Sequence, residues 1–229
     1  MSVALITGGS RGFGRALARE LAVQGWTLIL DARGDHDLAA VAAELGAVGI
    51  AGDVADAAHR SALATAVASA GRLDVLVNNA SDLGVSPLPP LARYPLDTLE
   101  DVFRTNVVAP LALTQRVLPF LETTGGTVVN VTSDASVEAY PGWGAYGASK
   151  AALDQMSGVL AAENPALRVY AFDPGDMRTA MHQQAFPGED ISDRPEPESV
   201  VPALLRLLVN RPQSGRYRAT DVLVPGGVR

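Results

Sequence analysis

The sequence predicts an α/β fold: a single doubly wound domain with a seven-stranded, mostly parallel sheet and helices on both faces. Short apolar runs alternate with longer helical patterns almost to the end of the chain, which is the rhythm of βαβ units with right-handed crossovers. Most of the short runs are continuously apolar, as strands are when helices cover both faces of the sheet. The chain has 229 residues, 48% of them hydrophobic and 19% charged, enough for one large core.

The expected strands are Val3–Thr7, Thr27–Asp31, Val48–Ala51, Asp74–Val77, Thr127–Thr132, Arg168–Phe172 and Asp221–Val224. The expected helices between them are Gly12–Gln24, His36–Leu45, Asp56–Ala70, Leu96–Leu118, Ala145–Glu163 and Pro197–Leu208. Two stretches break the rhythm. Ser81–Pro95 holds four prolines without a helical period and reads as a loop. Gln183–Pro197 mixes Gly, Pro, Asp and Glu. A substrate loop or lid is expected over about 176–197, with a plain solvated connection as the alternative. The whole span 1–229 reads as one doubly wound domain.

Composition removes several function classes. A net charge of −7 argues against a nucleic-acid or anionic-membrane partner, since both need a basic surface. Cysteine is absent, which excludes disulfides, thiolate catalysis and cysteine metal sites. His36, His59 and His182 share no metal-ligand spacing, so no metal site is expected. The start of the chain has no basic segment of the signal-peptide kind, and no apolar stretch reaches the ~18 residues of a membrane span. A cytoplasmic protein is the expectation.

Two constellations carry chemistry. Thr7-Gly8-Gly9-Ser10-Arg11-Gly12-Phe13-Gly14 follows the first strand and opens the first helix. A helix N-terminus offers unpaired amides and the positive end of its dipole, and glycines let a pyrophosphate approach the backbone. Tyr146 and Lys150 stand at i, i+4, on one face of an Ala-rich helix. A free tyrosine, with a pKa of ~10, is a poor proton donor and acceptor at neutral pH, and a neighbouring ammonium favours its phenolate. Lys150 is the single lysine among 18 basic residues. A compact ammonium can bridge ribose hydroxyls beside a phenol where a guanidinium would crowd them.

The order of these words along the chain resembles the short-chain dehydrogenase/reductase family, in its compact single-domain branch. The matching motifs are T-G-x-x-x-G-x-G at Thr7–Gly14, Asp53-Val54, Asn78-Asn79-Ala80, Val131-Thr132-Ser133, Tyr146-x-x-x-Lys150 and Pro174-Gly175-x-x-x-Thr179. Ser81 departs from the family's N-N-A-G, which has glycine there. The resemblance implies a Rossmann fold and a soluble oxidoreductase. The implied reaction is hydride transfer between a nicotinamide and a carbonyl or secondary alcohol of a small or medium substrate.

By the same resemblance, Tyr146 exchanges the proton, Lys150 tunes it and holds the cofactor, and Ser133 steadies the carbonyl oxygen, with Thr132 one residue away. Asn106 positions a water in the proton relay. Gly8, Ser10, Arg11, Phe13 and Gly14 cradle phosphate, and Asp53 and Val54 contact adenine. Asn78, Asn79 and Ala80 line the cofactor, while Pro174, Gly175, Met177 and Thr179 face the nicotinamide. NADP(H) is favoured over NAD(H), because Arg33 follows the second strand where NADP enzymes carry arginine, and Arg11 matches a second basic position. Two guanidiniums suit a dianionic phosphate. Asp31 is expected to turn away from the ribose, although a shift of one residue would make it an NAD ligand. Candidate substrate-pocket residues are Asp82, Leu83, Asp134, Tyr140, Trp143, Met177, Met181, His182 and Phe186. The resemblance also implies a homodimer or homotetramer. The alternative function is a dinucleotide-binding redox sensor or scaffold without turnover.

Overall fold

The computed structural model describes residues 1–223. The strands are β1 (Val3–Ile6), β2 (Thr27–Ala32), β3 (Val48–Ala51), β4 (Val75–Asn78), β5 (Thr127–Val131), β6 (Arg168–Asp173) and β7 (Gly215–Arg218). The helices are α1 (Gly12–Val23), α2 (Asp35–Leu45), α3 (Ala57–Ala70), α4 (Leu96–Phe103), α5 (Ala109–Thr124), α6 (Gly144–Glu163), α7 (Ala180–Ala185), α8 (Val201–Asn210) and α9 (Ala219–Leu223). The sheet order is β3-β2-β1-β4-β5-β6-β7. All of its strand pairings are parallel.

Strand alternation divides the core into two layers. β1 sends Ala4 and Ile6 into the layer packed by α1, α2, α8 and α9. Val3 and Leu5 enter the layer packed by α3, α5 and α6. β2 follows the same rule, with Leu28, Leu30 and Ala32 in the first layer and Ile29 in the second. The chain runs outward from β1 to β3 and then returns to β4 beside β1. That reversal leaves a crevice at the carboxyl ends of β1 and β4, where open α/β sheets bind ligands.

Two expectations are corrected. The last strand is not Asp221–Val224: β7 is Gly215–Arg218, and Asp221–Leu223 belongs to α9, while Val224 lies outside the described residues. Among the described residues β7 pairs only with β6, so this edge strand needs no continuous apolar run and reads as polar G-R-Y-R. Nor is Leu96–Leu118 one regular helix. A π-helical turn, Arg104–Val108, separates α4 from α5. Pro110 stands four residues after Asn106 and has no N–H, so the Asn106 carbonyl loses its α-helical donor there. No helix among the described residues is long and apolar enough to cross a membrane.

Phe172 of β6 is fully buried and stacks on Phe13 of α1, with ring centroids 5.8 Å apart. Phe172→Ala is expected to lower unfolding free energy by about 3–5 kcal/mol. Urea denaturation checks this as a lower midpoint at unchanged slope. A loss below about 1 kcal/mol would mean the surrounding core collapses into the space.

Candidate active site

Side chains tie the ends of β1 and β4 together. Thr7 Oγ1 accepts the backbone N–H groups of Asn79 and Ala80, each at 2.9 Å. Asn79 Nδ2 donates back to the carbonyls of Thr7 at 2.8 Å and Gly8 at 3.2 Å. Gly8 has φ +67°, and a Cβ at Gly14 would lie 2.4 Å from the Gly8 carbonyl oxygen. The glycine loop and the start of α1 therefore pack backbone against backbone. Above them opens a cleft of about 540 Å³, lined by Gly8, Ser10, Arg11, Gly12 and Phe13 among others. Gly14 supports this floor without lining the cleft.

One end of the cleft is basic. Arg11, Arg15, Arg19 and Arg33 line it, together with the acids Asp37 and Asp53 and with Val54. Glu44 takes a forked pair of hydrogen bonds from Arg19, at 2.9 and 3.1 Å, and lies 3.7 Å from Arg15. Arg11 and Arg33 form no ion pair among the described residues. Asp31 also lines the cleft, with its carboxylate held by the loop and α3: Oδ1 accepts from the Gly8 N–H at 2.8 Å, and Oδ2 lies 3.0 Å from His59 Nε2. Burial raises the Asp31 pKa, while the bonds from His59 and Gly8 oppose the rise.

The other end holds Tyr146, Lys150 and Ser133. Tyr146 and Lys150 are both buried on α6, with Nζ 5.4 Å from the phenol ring centroid. Lys150 Nζ donates to the Val131 carbonyl at 2.8 Å. Burial pushes the Tyr146 phenol well above its ordinary range; a hydrogen bond with Ser81 opposes the rise, and Asp173 and Asp134 add to it. Burial likewise pushes Lys150 down to about 8, against the pull of Asp154. In the protein without nicotinamide, removal from water dominates and favours the neutral form of each group.

Ser133 Oγ donates to Asp134 Oδ1 at 2.9 Å, and Tyr140 Oη donates to Asp134 Oδ2 at 3.0 Å. Thr132 Oγ1 is buried, lines the cleft and has no hydrogen-bond partner among the described residues. The segment after β6 folds back over the glycine loop, bringing Pro174, Gly175, Met177 and Thr179 to the cleft. Thr179 also caps α7, accepting the His182 N–H at 3.2 Å. Leu83, Trp143, Met181 and His182 line the same end, and Trp143 meets Tyr146 edge to face at 5.7 Å. Phe186 backs Trp143 and His182 from outside the lining, at 6.0 and 4.9 Å. Asp82, Asp134 and Tyr140 stand outside the lining as well.

Two further expected site residues have buried side chains outside the cleft lining. Asn78 is buried and donates to Asn130 Oδ1 at 2.7 Å, so its side chain serves the core, while Asn79 and Ala80 line the cleft. Asn106, in the π turn, is fully buried and does not line the cleft. Its Oδ1 accepts the Ser81 hydroxyl at 3.1 Å and the Asp82 N–H at 2.7 Å, and its Nδ2 donates to the Asp82 carbonyl at 2.8 Å and Ser149 Oγ at 3.0 Å.

Residues 2–190 match the family model described as short chain dehydrogenase. The chain belongs to the short-chain dehydrogenase family, a family of oxidoreductases. It is 36% identical to sepiapterin reductase of Mus musculus over 202 residues, covering 80% of this chain and 77% of that enzyme. It is 39% identical to serine 3-dehydrogenase of Agrobacterium fabrum over 181 residues, covering 76% of this chain and 72% of the other. A short chain dehydrogenase structure from Shigella flexneri, complexed with NADP, superposes with a TM-score of 0.90 at 32% identity, covering 96% of this chain and 97% of that one.

Sequence reasoning about this dehydrogenase missed His59, Ser81 as a partner of Asn106, and the Arg15–Arg19–Glu44 group. Helix spacing held a signal for the last, since Arg15 and Arg19 stand one turn apart on the face that Glu44 meets. A test follows from Lys150. Its pKa falls from an ordinary 10.5 to about 8, so the unfolded chain binds more protons between those values and stability rises with pH across that window. Below about pH 8 the full burial cost remains. Lys150→Met is expected to lack the rise and to be at least as stable as wild type at neutral pH, by up to about 3 kcal/mol. Urea denaturation across pH, without added nucleotide, checks it. A flat wild-type curve would mean that the bond to the Val131 carbonyl offsets burial.

Proposed function

We propose that this protein is an NADPH-dependent oxidoreductase that interconverts a carbonyl and the corresponding alcohol on a small or medium substrate. The observation that carries the reading is that Tyr146, Lys150 and Ser133 line one cleft with the glycine loop and two unpaired guanidiniums. The bare backbone at Gly8 and Gly14, the orphaned Thr132 hydroxyl and the basic end all fit a 2′-phosphorylated dinucleotide. Bound NADPH would supply the hydride and, once oxidised, a positive ring charge.

Arg33 and Arg11 would grip the 2′-phosphate, and Asp31 would stay clear of it because Gly8 and His59 hold its oxygens. Lys150 Nζ donates one hydrogen bond to the Val131 carbonyl and would have further N–H groups for ribose hydroxyls. Tyr146 holds its proton firmly through burial and would release it to the carbonyl oxygen as charge develops there. Ser133 would turn its hydroxyl from Asp134 to the same oxygen. Asn106 would act by bracing the segment that carries Ser81. Trp143, Leu83 and Met181 would exclude water, favouring a substrate with an apolar flank beside its carbonyl. The loop over 176–197 would cover it, anchored where the Arg178 N–H donates to the Pro195 carbonyl at 2.8 Å.

NADPH consumption against aldehydes, ketones, quinones and 3-oxoacyl thioesters is the first test. Tyr146→Phe is expected to lower kcat by about 10²–10⁴-fold with NADPH affinity kept. NADPH binding without reduction above the Tyr146→Phe rate would replace this reading with that of a dinucleotide sensor. Arg33→Ala is expected to raise the KM for NADPH by about 10–100-fold and leave that for NADH unchanged. Equal effects on both cofactors would place Arg33 outside the phosphate site.

A further inference from the structure

We propose that Arg216 is a positioning residue for the Tyr146–Ser133 pair, a guanidinium from the sheet edge that fastens the three segments carrying the reacting groups. The inference rests on the reductase reading above. Arg216 Nε donates to Asp154 Oδ2 at 3.1 Å, and Nη2 donates to the Ser133 carbonyl at 3.0 Å and to Asp173 Oδ2 at 2.9 Å. Each acceptor belongs to a different part of the site. Asp154 lies one turn beyond Lys150 on α6 and also accepts the Ser136 hydroxyl at 2.6 Å. Ser133 carries the hydroxyl that faces the cleft. Asp173 ends β6, and its Oδ1 accepts the Gly175 N–H at 3.0 Å, shaping the turn that follows.

The contacts need a fork. Two nitrogens point in fixed directions to acceptors on separate elements, a geometry a lysine ammonium does not reproduce. The charge matters as well. The side chains of Asp154 and Asp173 are 15% and 4% exposed, so their carboxylates are little screened by water. Several groups act on the Tyr146 phenol: Lys150 lies 5.4 Å from its ring on the same helix, Ser81 after β4 hydrogen-bonds it, and the charges of Asp134 after β5 and Asp173 on β6 oppose its ionisation. Asp173 opposes release of the phenol proton, and Arg216 is the cation in hydrogen-bond contact with it. Arg218 stands farther off at 3.7 Å and is more exposed. Arg216 thus holds both the geometry and the field in which Tyr146 works.

The experiment compares wild type, Arg216→Gln, Arg216→Lys and the double variant Arg216→Gln/Asp173→Asn. The readouts are kcat and KM, the pH profile of alcohol oxidation, and amide hydrogen exchange. Arg216→Gln is expected to lower kcat about 10-fold or more with little change in KM. It is also expected to move the pH profile upward by on the order of one unit. The double variant returns the profile toward wild type without restoring kcat, because the carboxylate is gone but the fork is still missing. Arg216→Lys keeps the profile and loses kcat. Exchange quickens at 133–136 and 173–176 in each variant that folds. The proposal is overturned if Arg216→Gln keeps wild-type kcat and profile. It is also overturned if kcat falls only in step with the folded fraction while the profile stays fixed. Should wild type itself reduce no carbonyl, the reductase reading fails separately, and unchanged exchange in the variants would then overturn the role of Arg216.

Discussion

The cleft exists because β1 and β4 are held side by side at their carboxyl ends while the chain leaves them in opposite directions. Thr7 and Asn79 make that hold explicit. One hydroxyl takes two backbone amides, and one carboxamide satisfies two carbonyls, all at a point where ladder hydrogen bonds have run out. Unpaired buried backbone groups there would cost about as much as lost hydrogen bonds. The clamp removes that cost and sets the height of the glycine loop above the sheet. Asp31 adds a second restraint, taking the Gly8 N–H on its side chain while its carbonyl takes the Gly9 N–H at 2.8 Å. The amides left facing the cleft are those of the α1 start, which is where a pyrophosphate would lie.

At the reacting end the dominant constraint is removal from water. A phenol and an ammonium buried side by side each drift toward neutrality, so the protein alone stores Tyr146 as a proton-bearing acid. In the proposed reaction that state would suit reduction, with the phenol as proton donor. The reverse direction would need added positive charge, which an oxidised nicotinamide would bring on binding. Proton chemistry would thereby be tied to occupancy of the cleft. The buried hydrogen bonds around Asn106 serve the same end: with both amide atoms used, the loop bearing Ser81 cannot drift from the phenol.

The elements most legible in the sequence were the central strands and the amphipathic helices; the exposed edge strand β3 was legible too, as the short run Val48–Ala51. The central strands are continuous apolar runs because helices cover both sides, and the Tyr146–Lys150 spacing is a property of any helix. What was illegible depended on partners far away in the chain. β7 is an edge strand with Tyr217 packed edge to face on Tyr170 at 5.6 Å, a contact that leaves no apolar run to read. The π turn needed Pro110 to be weighed against Asn106, four residues earlier. The fate of Asn78 depended on Asn130 and Thr114, both on other elements. The upward push on Tyr146 came from burial, which no local motif reports.

Cofactor choice shows how a period of two decides chemistry. Asp31 and Ala32 are neighbours on β2, so one must face α3 and the other the opposite layer. A carboxylate in the place of Ala32 would repel a 2′-phosphate. One residue earlier, the same carboxylate is buried, committed to Gly8 and His59, and helps build the loop. The nearby acid Glu44 is likewise committed to Arg19, while Arg11 and Arg33 line the same end without an ion pair among the described residues. A slip of one residue in β2 would exchange the faces of Asp31 and Ala32, undo the Gly8 contact and turn the acid toward the ribose. The register of β2 against β1, pinned by Leu5 opposite Ile29 and Ile6 opposite Leu30, therefore carries the Gly8 contact and, on the proposed reading, the preference for a phosphorylated ribose.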